Sequence, residues 1–395
     1  MGQKNSRIKK QACPIYLVII KKIGAKQIRD SRGQLTIEVE INGFKSSAPS
    51  GKSTGKYETP TYNKSLEWNI RAINGIKSFP EIVSFKSLKK IENHLSSIFK
   101  LRSPLQFGAN ALFALESAIL KALAKEQKKD LWQLINPRAK RIPVPVGNAV
   151  GGGIHSTAFK YHTVVQEFLI IPQKSSVGDN VALMEKIHLA LKTKLGSKKT
   201  NDEGAWQTSL DEEGVLQLLS AFKGVRLGID VAASTFYHGG KFHYQDKTLS
   251  SDEQIDYIEG LKKKYNLLYI EDPFNEEDFK SFSKIKHDSR HLIVGDDLTA
   301  THITRIKKAL RLNSINGVIV KPNQNGSLLA LQEIFDFCKK NKIKTILSHR
   351  SGETMDDAIA DYAFGFQADY IKCGIATKWR QAKLNRLVDI EKNLE

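Results

Sequence analysis

The chain predicts an α/β barrel preceded by a smaller α+β domain. Six short apolar runs in its second half each end in a charged or ionisable side chain: VRLGID (Val225–Asp230), LLYIED (Leu267–Asp272), LIVGDD (Leu292–Asp297), VIVK (Val318–Lys321), TILSH (Thr345–His349) and YIK (Tyr370–Lys372). Their anchors Asp230, Glu271, Asp296, Lys321, His349 and Lys372 lie 41, 25, 25, 28 and 23 residues apart. That interval suits a strand, a helix and two loops, since a βαβ unit takes ~30 residues. The first third reads differently, as strands around turn signals followed by helices. Short apolar runs separated by helical stretches imply parallel strands buried on both faces. A barrel gathers the C-terminal ends of its strands around one mouth. Three carboxylates, two lysines and a histidine should therefore converge there. Six unrelated surface charges would account for one or two of them, but not for the acids coming first as a group and the bases following.

In chain order, residues 1–14 read as a mobile basic tail. Residues 15–141 read as the α+β N-terminal domain. Its strands are YLVII (Tyr16–Ile20), LTIEVEI (Leu35–Ile41) and a short third near Gly43–Ser47, with turn signals at Asp30–Gly33 and Asn42–Gly43. Ala48–Lys56 is rich in Gly, Ser, Thr and Pro and reads as a loop. Ala109–Lys128 has apolar residues at helical spacing and strong helix formers throughout. Residues 142–395 read as the barrel. IPVPV (Ile142–Val146) opens it, VVQEFLII (Val164–Ile171) is a further strand, and Ala182–Leu195 is an amphipathic helix. The six regular units then complete it.

A length of 395 residues suits two domains. Composition is ordinary for a globular protein, at 41% hydrophobic and 26% charged, but the net charge of +19 is not. The lysines are spread along the whole chain. They form no long basic block and do not alternate with aromatic residues as on a stacking platform, so nucleic acid is not an expected partner. Cys13, Cys338 and Cys373 are too few and too scattered for a disulfide framework or a zinc site. That fits a reducing cytosol and a cytoplasmic location. No run of 18 or more apolar residues occurs. The N-terminal MGQKNS matches the myristoylation pattern at Gly2 and Ser6, and Lys4, Arg7, Lys9 and Lys10 would supply the basic second signal. A lipid-free lysine-rich tail is the favoured reading of the same residues.

Asp230, Glu271 and Asp296 would repel one another unless a cation neutralised them. Hard oxygen ligands at a mouth open to substrate suit Mg²⁺. The plainer reading, helix N-caps, fits each acid alone better than all three together. Lys321 and Lys372 end nearby strands. A lysine beside other cations has its pKa lowered and can act as a general base, although an anion-binding or structural lysine is also open. His349 sits in SHRSGE, where Arg350 and Ser351 offer donors for an oxyanion. Glu167 in QEF and Glu203 in NDEG are paired carboxylates of the kind that help a poor leaving group depart. A strand partner and an exposed loop acid are their plainer readings. Gly51-Lys52-Ser53 mimics the end of a P-loop, but that motif needs a glycine where Ser46 stands, and no helical pattern follows at once. A glycine-rich lid that brings Ser53 to a metal or phosphate is the better reading.

These residues resemble the enolase family from about Ile20 to Leu394. The matching segments are DSRG (Asp30–Gly33), PSGKSTG (Pro49–Gly55), FGANA (Phe107–Ala111), PVP with a downstream GG-x-H (Pro143–His155), QEF (Gln166–Phe168), DEG (Asp202–Gly204), DVAAS (Asp230–Ser234), IEDPF (Ile270–Phe274), GDDLT (Gly295–Thr299), KPNQNGS (Lys321–Ser327), SHRSGET (Ser348–Thr354) and IKCG (Ile371–Gly374). The resemblance implies an enolase-type α/β barrel behind an enolase-like N-terminal domain that carries the lid. It implies the reversible, Mg²⁺-dependent dehydration of 2-phosphoglycerate to phosphoenolpyruvate, and a homodimer. It maps Asp230, Glu271 and Asp296 to the tight metal ion and Ser53 to a second. Lys321 becomes the base and Lys372 the partner of the substrate carboxylate. Glu203 becomes the acid that helps hydroxide leave, with Glu167 beside it. His155, His349, Arg350 and Ser351 hold substrate and phosphate.

Several positions depart from the family pattern. Lys52 replaces a small residue in the lid, and Thr235 stands where a Glu usually follows AAS. DEG continues as Ala205-Trp206-Gln207, and TYNKS (Thr61–Ser65) occupies the region of an acidic ELRD. Three extra residues separate His155 from Glu167, and one is missing after Gly374. The matched catalytic residue types all survive, which favours an active enzyme. The alternatives are a non-catalytic enolase-like binding protein and an enolase-fold enzyme for another acid. The Glu167/Glu203 pair and the SHRS donors argue against the second.

Overall fold

A computed structural model describes residues 17–52, 55–196, 198–285 and 290–394. The basic tail, with Gly2 and Ser6, and Ser53 of the glycine-rich loop lie outside them.

Strands β1 (Ile23–Arg29), β2 (Leu35–Ile41) and β3 (Phe44–Ser47) form an antiparallel meander. Asp30 shapes its first turn, where its Oδ1 accepts from Arg32 N at 2.8 Å and Gln34 N at 2.9 Å. The meander starts later than the sequence predicts. YLVII is not a strand in its described part; Val18 makes one isolated bridge, to Ile82, and pairing begins at Ile23. Asn42 holds the chain just ahead of β1. Its side-chain oxygen accepts from Lys21 N and Lys22 N, at 2.9 and 3.0 Å, and its amide donates to Ile19 O at 2.8 Å. One side chain thus takes the backbone groups that a ladder partner would otherwise take.

Four helices follow: α1 (Leu66–Asn74), α2 (Leu88–Ile98), α3 (Ala109–Glu126) and α4 (Leu131–Ile135). α3 matches the predicted helix to within two residues and is buried around nearly its whole circumference. β2 and β3 cover one side of it, and the barrel covers the other.

The barrel begins with β4 (Val144–Gly151) and β5 (Glu167–Pro172), then α5 (Val177–Leu195), β6 (Trp206–Gln207), α6 (Glu212–Ser220) and β7 (Val225–Asp230). A small antiparallel ribbon of β8 (Tyr237–His238), β9 (Lys241–His243) and β10 (Thr248–Leu249) leads to α7 (Ser251–Tyr265). Next come β11 (Tyr269–Glu271), α8 (Phe279–Lys284), β12 (Leu292–Gly295), α9 (Ile303–Arg311) and β13 (Gly317–Val320). The chain ends with α10 (Pro322–Asn325), α11 (Leu328–Lys340), β14 (Lys344–Ser348), α12 (Ala358–Gly365), β15 (Tyr370–Lys372) and α13 (Lys378–Lys392).

The ring runs β4-β5-β7-β11-β12-β13-β14-β15 and closes through β15–β4, with β6 an outrigger on β4. From β7 to β15 and across the closure every pairing is parallel, as the apolar runs predict. β5 differs. It runs antiparallel to both β4 and β7, and it starts at Glu167, not at Val164.

Side chains alternate across the barrel wall with period two. Val146, Leu169, Ile171, Tyr269, Leu292, Val294, Ile319 and Ile346 form a separate apolar cluster in the interior. Their opposite-parity neighbours, such as Ile229, Ile270 and Val318, join the larger core under the helices. Gly228 leaves room for Tyr269 in the interior; a Cβ there would meet Tyr269 Cβ at 2.8 Å.

Candidate active site

The interior parity continues upward into the mouth. Glu167 lies two residues before Leu169, Glu271 two after Tyr269, Asp296 two after Val294 and Lys321 two after Ile319. Asp230 follows Gly228 and Lys372 follows Tyr370 in the same way. Each therefore points into the barrel axis at the top of its strand. Reversal of β5 brings Glu167, the first residue of its strand, to the same end as the last residues of the others; it is the Cα partner of Asp230. The resulting cavity is lined by Glu167, Glu203, Asp230, Asp296, Lys321, His349, Arg350, Ser351 and Lys372. Glu271 sits fully buried among them.

Buried lysines and carboxylates interlock here. Lys372 Nζ lies 2.9 Å from Asp230 Oδ2, 2.9 Å from Glu271 Oε2 and 3.2 Å from Glu167 Oε2. Burial pushes the Lys372 pKa down, but Asp230, Glu167 and Glu271 outweigh it and hold the ammonium well above its ordinary value. Burial, then Asp230, raises Glu271 to about 8 against the pull of Lys372. Burial, with Glu203 adding to it, holds Glu167 well above the usual carboxylate range. Lys321 Nζ donates to Asp296 Oδ2. This corrects the expectation of a lowered lysine pKa. Burial and the Arg350 charge do push Lys321 down, but the Asp296 carboxylate overcomes them and the net direction is up.

Across the mouth, Asn148 Nδ2 donates to Glu203 Oε2 at 3.2 Å, and His349 Nε2 lies 3.9 Å from the same oxygen. Burial, then the Arg380 charge, pushes the His349 pKa well down, so its ring is neutral. His155 lies in the short turn Gly153–His155 after β4.

Several residues at the mouth were not legible in the sequence. Glu58 forms a two-pronged pair with Arg350, Oε2 to Nη1 at 2.9 Å and Oε1 to Nη2 at 3.1 Å. Arg380 of α13 is fully buried and donates from Nη2 to Arg350 O and Ser351 O, at 3.2 and 2.8 Å. Asp272 and Asp297 complete a second acidic group with Asp296, whose ligand atoms lie within 4.8 Å of one another. The doublets in IED and GDD were the only sign of that pair. Asp272 adopts φ 40° and Ala232 φ 45°, strained conformations for residues with a Cβ, clustered at the strand ends.

The glycine-rich loop is tied to the mouth at its base. Ser50 N donates to Gly352 O at 2.7 Å, and Gly352 N donates to Ser50 O at 2.8 Å. Gly352 permits this approach, since a Cβ there would meet Asp30 Oδ2 at 2.1 Å. Among the described residues no helix follows the loop before Leu66, so it is no P-loop.

The acids at the mouth are compatible with a metal ion, with Asp296 shared between the strand-end acids Asp230 and Glu271 and the tighter group it forms with Asp272 and Asp297. Glu271 Oε1 and Asp296 Oδ1 are buried and accept no hydrogen bond, which a bound cation would satisfy. The donor set is all oxygen, which suits a hard divalent ion.

Residues 20–135 match the family model "Enolase, N-terminal domain", and residues 139–395 match "Enolase, C-terminal TIM barrel domain". The chain belongs to the enolase family. Among curated enolases it is similar to that of Natronomonas pharaonis, 34% identical over 95% of this chain and 100% of that one. It is 37% identical to the enolase of Sulfurisphaera tokodaii over 94% of this chain and 95% of that one. The Thermoplasma acidophilum enolase is 34% identical over 95% and 98%. Enolase membership over nearly the full length carries the lyase reading and not the non-catalytic alternative, and a metal cofactor goes with it. No helix among the described residues is long and apolar enough to cross a membrane.

Proposed function

We propose that this chain is a phosphopyruvate hydratase, catalysing the reversible, Mg²⁺-dependent dehydration of 2-phospho-D-glycerate to phosphoenolpyruvate in glycolysis and gluconeogenesis. One observation carries the reading. In a ring of eight strands, β5 with Glu167 and β13 with Lys321 are four places apart, on opposite walls of the mouth. A base on one wall and an acid pair on the other suit elimination across one carbon–carbon bond.

Lys321 Nζ takes the C2 proton. The Glu167/Glu203 pair supplies a proton to the C3 hydroxyl, which leaves as water. Glu203 is the acid of the pair and Glu167 stands beside it, its carboxyl held well above the usual carboxylate range by burial and the Glu203 charge against the pull of Lys372. Lys321 must be neutral to act; burial and the Arg350 charge push it toward that form, against the pull of Asp296, Asp297 and Glu271. Asp230, Glu271 and Asp296 would hold Mg²⁺, with Ser53 of the loop serving a second ion. Bound there, the ion supplies positive charge that stabilises the enolate. Lys372 meets the substrate carboxylate. His155, His349, Arg350 and Ser351 hold the remaining oxygens, with Arg350 steadied by Glu58. Residues 15–141 supply the loop, and 142–395 supply the chemistry.

A homodimer and a cytoplasmic location complete the reading; buried, unpaired Cys338 and Cys373 accord with a reducing compartment. An absorbance assay for phosphoenolpyruvate, with Mg²⁺ and with chelator, tests it. Turnover that needs the metal is expected. No product under either condition would refute it.

A further inference from the structure

Four lysine and arginine side chains line the cavity among the described residues: Lys52, Lys321, Arg350 and Lys372. Three are already engaged by carboxylates, Lys321 by Asp296, Arg350 by Glu58 and Lys372 by Asp230, Glu271 and Glu167. His349 adds no charge, since its ring is neutral. Lys52 differs from all of them. Among the described residues it has no carboxylate partner. Its Nζ donates to a neutral acceptor, Ile154 O, at 2.8 Å. Its backbone N donates to Ser351 Oγ at 2.7 Å, which fixes its Cα beside the Arg350–Ser351 donors. Ser351 Oγ is also met by Arg32 Nη1, at 3.0 Å.

Among the lysines and arginines that line the mouth in the described residues, an anionic substrate therefore meets one, Lys52, that no carboxylate engages. A phosphoryl oxygen is a stronger acceptor for an ammonium than a carbonyl, because the bond is then charge-assisted on both sides. A flexible, exposed lysine stem makes the exchange cheap in strain.

We propose that Lys52 is a substrate-binding residue that selects for the phosphoryl group: its ammonium leaves Ile154 O and pairs with the phosphate held by Arg350 and Ser351. The inference rests on the functional reading above and concerns the same site. Lys52 binds; it takes no part in proton transfer.

Three substitutions in the full chain separate charge from tethering. Lys52→Met keeps the stem and removes both the charge and the donor. Lys52→Gln keeps an N–H donor for Ile154 O and removes the charge. Lys52→Arg keeps both. Competitive inhibition by inorganic phosphate is measured beside KM and kcat for 2-phosphoglycerate. Met and Gln should each weaken phosphate inhibition and raise KM about tenfold, the scale of one exposed charge-assisted hydrogen bond. kcat should fall by less than KM rises. Arg should restore most of the loss. High salt should narrow the gap between wild type and Met.

If Gln behaves as wild type while Met does not, Lys52 is only a tether and the inference fails. Unchanged phosphate inhibition in both also overturns it. A melting midpoint of Lys52→Met close to that of wild type excludes misfolding as the cause. Should wild type show no turnover, the functional reading has failed independently. Calorimetric binding of inorganic phosphate to wild type and Lys52→Met then still decides the role of Lys52: equal affinity refutes it.

Discussion

Two regions of this molecule bury carboxylates, and they handle them in opposite ways. At the barrel mouth, Glu167, Asp230, Glu271 and Asp296 close around Lys372 and Lys321. At the seam between the N-terminal helices and the barrel, Glu92 of α2 and Glu116 of α3 face the start of α11. There Glu116 Oε2 accepts from Leu328 N at 2.8 Å, and Glu92 accepts from Ser327 Oγ. Their nearest cation is Lys89, 3.2 Å from Glu92 and mostly exposed. Burial, then the Glu92 charge, holds Glu116 well above its ordinary pKa, which favours its neutral form. Both regions leave a carboxylate oxygen without a hydrogen bond. An orphaned oxygen alone therefore does not mark a site. At the seam one proton and one helix N-terminus suffice. At the mouth several acids converge from different strands with cations between them, and that arrangement can exchange partners.

The largest effect should come from Lys321. On the proposed assignment, Lys321→Ala should lower turnover by about a hundred- to ten-thousandfold, the usual weight of a general base. Exchange of the C2 proton of 2-phosphoglycerate with solvent deuterium should disappear with it. Normal exchange in the variant would move the base to another residue and erase the functional half of the comparison.

Lys372→Met tests whether the mouth needs its buried cation. Removing one partner of a buried ion cluster costs about 3–5 kcal/mol, here with three carboxylates left facing one another. Denaturant unfolding in chelator should report a loss of that order. A near-neutral result would mean that the acids simply take up protons, as Glu116 does.

Millimolar Mg²⁺ should raise the melting midpoint of wild type, by up to about 2.7 kcal/mol of stabilisation at a hundred times Kd. The gain should be smaller in Asp296→Asn. An unchanged wild-type midpoint, with activity persisting in chelator, would contradict a metal at the mouth.

The smallest effect belongs to the seam. The folded pKa of Glu116 is raised above its ordinary 4.5. Its stabilising contribution is therefore fully present below that value and is lost as pH rises through the folded pKa. Glu116→Gln stays neutral throughout. Its melting midpoint should fall less than that of wild type as pH is raised from 5 to 9, with activity preserved. Parallel pH profiles would show that the seam acid does not titrate.

How much of this was legible in the chain follows from how far each residue's partner lies. Strand and helix identities depend on neighbours within a few positions. Thus LTIEVEI, VRLGID and Ala109–Glu126 form the elements their periodicity predicts. The two-residue parity that aims Asp230, Glu271, Asp296, Lys321 and Lys372 into the barrel is local too, which is why six strand-end anchors pointed to one mouth. His349 reaches it from the other parity, one residue past the end of β14, where its N still donates to Lys372 O at 2.9 Å. Tertiary structure alone decided the rest. YLVII formed no strand in its described part, and the Asn42 side chain holds the backbone there and just beyond, at Ile19 O, Lys21 N and Lys22 N. β5 reversed because the loop after β4 returns from the mouth, and no periodicity distinguishes an upward strand from a downward one. The pairing of Arg350 with Glu58, 292 residues away, and of Lys321 with Asp296 exists only once the ring is closed. The same closure sets the protonation of the mouth, because burial and charge depend on every wall at once. The sequence by itself determined which side chains face the axis; ring closure decided which of them meet, since long-range contacts have no counterpart in local spacing.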